Sequence, residues 1–121
     1  MASGHAPRME EVRRLIDGEL CGHVEQRDGS WLAHVVFGAE LGCHPTRADA
    51  VAQVLSEGLA SLSERWTLRR NDGAFDEVVC IQEATPQSVT VAVGFYSMPG
   101  VLTITASEIA AGEWSMRRQA P

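Results

Sequence analysis

At 121 residues the chain has the size of one domain, long enough to bury a core without disulfide or metal staples. Its 45% hydrophobic and 21% charged residues exclude a disordered chain, and a formal net charge of -6 disfavours generic binding to a phosphate backbone. Three cysteines with no CxxC spacing fit neither a disulfide framework nor a closed zinc site. The N-terminus lacks a signal-peptide core, and no stretch approaches the ~20 apolar residues of a membrane span. The expectation is a single cytoplasmic domain over residues 1–121 with reduced thiols, folding alone or as a small oligomer such as a homodimer. Residues 1–6 are expected to be frayed.

From Pro7 to Asp17, Met9, Val12, Leu15 and Ile16 recur at helical spacing ahead of Gly18, which predicts a short amphipathic helix. Two alternating runs, 20–26 and 31–37, flank Asp28-Gly29, the strongest short hairpin signal in the chain. A two-residue loop there sets His23 opposite His34 and Val24 opposite Ala33. One face of the ribbon then holds Leu20, Val24, Trp31, Ala33, Val35 and Phe37, the other Cys21, His23, Glu25 and His34. Residues 39–44 read as irregular or as a short third strand.

After Pro45, Thr46 caps a helix with Asp49 three positions on, and Ala48, Val51, Ala52, Leu55, Leu59 and Leu62 mark its apolar stripe to about residue 63. Strands follow at 65–70 and 75–82 around Asn71-Asp72-Gly73, then at 88–96 and 101–106 around Met98-Pro99-Gly100. In the last hairpin Val89, Val91 and Val93 share a face with Leu102 and Ile104, whereas Thr90, Ala92, Gly94, Tyr96 and Thr103 share the other. Ser107 to Gly112 reads as a helical turn capped by Ser107, and residues 113–121 as a tail that docks through Trp114 or stays loose. The order predicts an α+β fold: an antiparallel sheet of about five to seven strands built from hairpins. The N-terminal helix and the long helix at about 47–63 pack on one of its faces.

The stretch from His23 to Leu62 joins a hairpin with Asp28-Gly29 to Gly42-Cys43-His44 and to Thr46 and Ala50 at a helix start. It resembles the strand–strand–helix unit of HicB-type antitoxins over a third of the chain. The Pro-Gly-Cys phrase usual before that helix is missing here.

No GxGxxG, P-loop, GxSxG or HExxH sequence occurs. The candidate ligand-binding residues are therefore His23, His34, Glu25 and Cys21 on one hairpin face, with Tyr96 on the small-residue face of the last hairpin. Two imidazoles, a carboxylate and a thiol are groups that bind metals or move protons, but the face also suits ordinary solvated side chains, and neither cofactor nor metal is expected. The paired arginines 13–14, 69–70 and 117–118 read as solvated element ends. The primary expectation is an acidic protein-binding module that inhibits, escorts or regulates a partner with a basic surface, as immunity proteins, antitoxins and secretion chaperones do, without generic nucleic-acid binding and without membrane binding. The alternative is a small enzyme or ligand-binding protein using the His23/His34 face or the last hairpin.

Overall fold

The computed structural model describes residues 9–93 and 100–119, arranged as two antiparallel sheets and two short helices. The first sheet has the order β1 (Met9–Arg13), β2 (Leu20–Arg27), β3 (Ser30–His34), β4 (Glu40–His44). It is followed by α1 (Arg47–Glu57) and a 3-10 turn at Ala60–Ser63. The second sheet is formed by β5 (Arg65–Arg70), β6 (Asp76–Ala84), β7 (Ser88–Val93), β8 (Gly100–Thr105) and β9 (Trp114–Arg118), in the order β8-β7-β6-β5-β9, with α2 (Ala106–Ala110) between β8 and β9. The single sheet of five to seven strands is thus corrected to sheets of four and five strands, and the tail from residue 114 to 118 is an edge strand.

The predicted N-terminal helix is a strand. Met9 to Arg13 pair with β2, Val12 alone turns into the core, and Leu15 and Ile16 project into water at the turn, 102% and 88% exposed. A helix of about ten residues is marginal in isolation, whereas a strand here satisfies the free backbone groups of β2. Arg14 clamps the turn through two bonds to Asp17 of 3.1 and 2.7 Å, and this contact holds the Asp17 carboxyl down to about 2.

The Asp28-Gly29 loop has the predicted form. Both residues have positive φ, at 52° and 79°, as a type I′ turn requires, and His23 pairs with His34 and Val24 with Ala33. The predicted common core face nevertheless divides. Val24 and Ala33 meet α1, packing with Val12, Cys21, Ala50 and Val54. Strand β3 ends at His34, where a turn closed by Val35 N–H to Ala39 O at 2.8 Å sends Val35 and Phe37 onto the second sheet. There they join Trp66, Leu68, Val79, Val89, Val91, Ile104 and Met116, with Phe37 edge-on to Trp66 at 6.1 Å.

Thr46 caps α1 as expected, accepting from Asp49 N–H at 3.2 Å. The α-helix stops at Glu57, short of the predicted residue 63, and its buried stripe is Ala50 and Val54 rather than Val51 and Leu55; Leu55 is 46% exposed. Gly58 explains the placement. A β-carbon there would overlap the carbonyl oxygen of Cys21, so the helix end lies directly on β2. Ser61, fully buried, donates to the Gly58 carbonyl at 2.9 Å and its own carbonyl takes the Trp66 indole N–H at 2.9 Å. In the last hairpin the predicted faces hold, since Val89 pairs with Ile104 and Val91 with Leu102. The cap of α2 is Thr105 rather than Ser107, in a reciprocal capping box with Glu108.

Candidate functional site

Between the face of the first sheet turned away from α1 and the α2–β9 end of the second lies an open groove of about 1140 Å³. Its first wall carries His23, Glu25 and His34, its floor is apolar through Phe37, Ile109 and Met116, and Arg27 and Arg117 stand at its lining. The β3–β4 turn positions both parts, because it ends the ribbon at His34 and delivers Phe37 into the second core.

The polar wall is buried, contrary to a solvated ribbon: Glu25 is 2% and His34 5% exposed. Burial of this kind requires partners, and each is present. The His34 Nδ1 lies 3.0 Å from the Gly38 carbonyl and its Nε2 3.0 Å from Glu25 Oε1. A carbonyl can only accept, so Nδ1 carries a hydrogen, and the Nε2–Glu25 contact needs one further proton shared between the two groups. Arg27, two residues along the same face, donates to both Glu25 oxygens at 3.1 and 2.9 Å.

His23 differs. Its Nδ1 is buried without a hydrogen-bond partner, and burial pushes its pKa below the usual histidine value of 6.5, an effect only partly opposed by Glu11 and the Val35 backbone and reinforced by His34 and Arg13. The imidazole is therefore held neutral beside His34.

Three of the sequence candidates, His23, Glu25 and His34, come together on this wall. Cys21 does not. Strand β2 bulges at this point, Val12 pairing with Gly22 and Arg13 with Leu20, so Cys21 is skipped by the ladder and turns into the α1 core. Tyr96 and Gly94 lie outside the described residues, while Thr90 and Thr103 bond each other at 3.1 Å on the outer face of the second sheet. Among the described residues no group of three or more His, Cys, Asp or Glu side chains is placed to hold a metal ion, and the three cysteines are free thiols.

Of the opposite wall, the sequence offered α2 as a helical turn and Trp114 as a docking residue, but neither as part of a site. That indole packs edge-on to Phe75 at 5.6 Å under Arg70. Among the described residues no helix is long and apolar enough to cross a membrane. Comparison with protein-family models, with curated proteins and with solved structures finds no match.

Proposed function

We propose that the protein is a small acidic binding module that inhibits, escorts or regulates a partner protein, in the manner of an immunity protein, antitoxin or chaperone, and that the groove takes a segment of that partner. One observation carries this reading: the buried Glu25–His34 pair of the wall already has its partners within the chain. Both ring nitrogens of His34 and both carboxylate oxygens of Glu25 are engaged by Gly38, Arg27 and each other, so the pair is held by the chain itself. A groove of about 1140 Å³, open and with an apolar floor, is larger than a small-ligand pocket requires and suits an extended segment. The net charge of -6 favours a basic partner and a fast, salt-sensitive encounter.

The alternative, a small enzyme or ligand-binding protein, is favoured by one feature, the neutral His23 whose Nδ1 has no partner. The two readings separate by experiment. Partner captured from native cell extract should associate more slowly as salt rises, with dissociation little changed, and Ala110→Arg, at an exposed position of the groove lining, should abolish capture without altering the fold. Capture unaffected by this substitution would remove the groove from the function. Turnover of a substrate lost on His23→Gln would replace the binding reading with the enzymatic one.

A further inference from the structure

We infer that the edge of β8 is a self-association surface, on which a second copy of the chain adds its own β8 antiparallel to the first. Two sheets present four edge strands: β1, β4, β8 and β9. Soluble proteins blunt such edges with charges, prolines or bulges, because an unpaired strand is a template for another. Three of these edges are blunted by charge, β1 by Glu10, Glu11 and Arg13, β4 by Glu40, and β9 by Arg117 and Arg118. Strand β8 reads Gly-Val-Leu-Thr-Ile-Thr, with no charge and no proline, and its pairing with β7 runs without a register shift. Among the described residues it is paired on one side only, and Val101 is 60% exposed.

The hydrogen-bond alternation of an antiparallel pair fixes what this edge offers. Ala106 N–H bonds Gln87 O at 2.7 Å, so residues 104, 102 and 100 turn their backbone groups toward β7 and residues 101, 103 and 105 turn theirs away. The Thr105 N–H agrees, since it is taken by Glu108 at 2.9 Å. Val101 and Thr103 are left presenting N–H and C=O outward. Two copies related by a two-fold axis can pair Val101 of each with Thr103 of the other, in four reciprocal backbone bonds, with the two Leu102 residues facing on the axis.

A second copy, rather than a foreign segment, is favoured by charge. Two chains of -6 repel, and an uncharged edge is where they meet with no like charges opposed; the same edge gives a basic partner nothing to recognise. The inference is independent of the groove. Their salt dependences are opposite, because screening weakens capture of a basic partner and strengthens contact between like-charged copies.

Sedimentation of the full chain over a concentration series should show a monomer–dimer equilibrium that tightens with salt. Val101→Lys/Thr103→Lys, which sets lysines across the axis, should be monomeric throughout with an unchanged circular dichroism spectrum. In a Cys43→Ser background, Leu102→Cys should form a disulfide-linked dimer on mild oxidation, because facing residues of a non-bonded pair lie ~4.5 Å apart between α-carbons, within disulfide reach. Val101→Cys, opposite threonine, should not. A wild-type chain monomeric at every concentration, a lysine variant that still dimerises, or crosslinking at 101 in place of 102 would overturn the assignment.

Discussion

Replacing Val54 by alanine tests where the core of the first sheet lies, because the apolar spacing of the sequence points to its neighbour Leu55. Val54 is fully buried against a cluster that includes Val12, Val24 and Ala33, whereas Leu55 is 46% exposed. Removing two carbons from Val54 forfeits ~0.8 kcal/mol each, and the residual cavity adds about 1, for a loss of roughly 2–3 kcal/mol. At ~2.1 cal/mol/K per residue the melting temperature should fall by ~10 °C. Leu55→Ala removes more atoms but mostly from water, and should cost less than ~1 kcal/mol. Urea titration at constant pH measures both, a constant m-value showing that the same unfolding is compared. Equal losses, or a larger one for Leu55, would refute the placement of α1.

Gly58→Ala should destabilise the protein, although alanine gains ~1 kcal/mol of helix propensity, because its methyl group meets the Cys21 carbonyl; chemical denaturation reads the sign. Glu25→Ala should cost ~3 kcal/mol or more by leaving the His34 Nε2 buried without its partner, measured in the same way. His23 binds its proton less readily folded than unfolded, so the unfolded chain takes up more protons as pH falls through 6.5; stability should decline there and level off below the lowered folded pKa, and His23→Gln should remove that component from a pH series of unfolding curves. Among the thiols, exposed Cys43 should react first with a thiol reagent and buried Cys21 last, at the rate of local unfolding.

Local chemistry was legible in the sequence where one short signal decides the outcome. Asp28-Gly29 fixed the hairpin and thereby the His23–His34 pair; Thr46 fixed the start of α1. What escaped depended on contacts distant in sequence. Helical spacing from Met9 to Ile16 describes a strand equally well once a β2 is available to pair with it, and Leu15 and Ile16 then belong to a turn. The bulge that removes Cys21 from the candidate face rests on Gly22, whose φ of 155° and close approach to the His34 carbonyl admit no side chain. Period-two reasoning places every residue after an undetected bulge on the wrong face. The division into two sheets has the same origin, a turn at Val35–Ala39 with no Gly-Asn or Pro-Gly signature.

That turn also accounts for the character of the groove. By ending β3 at His34 it supplies the Gly38 carbonyl to the imidazole, and by carrying Phe37 into the second core it sets the distance between the walls. The Glu25–His34 pair is then locked by contacts on both ring nitrogens, and a wall locked before binding loses little freedom when a ligand arrives. The same locking restricts what the wall can do. Protonation of the neighbouring His23 would put a donor at a buried Nδ1 with no acceptor, next to His34 and Arg13, so acid acts on the wall as a destabiliser rather than as a source of a catalytic proton. Binding through this groove should accordingly weaken in the wild type once pH falls below the lowered folded pKa of His23 and hold steady in His23→Gln, whereas a histidine acting as general base would leave that variant without function at every pH.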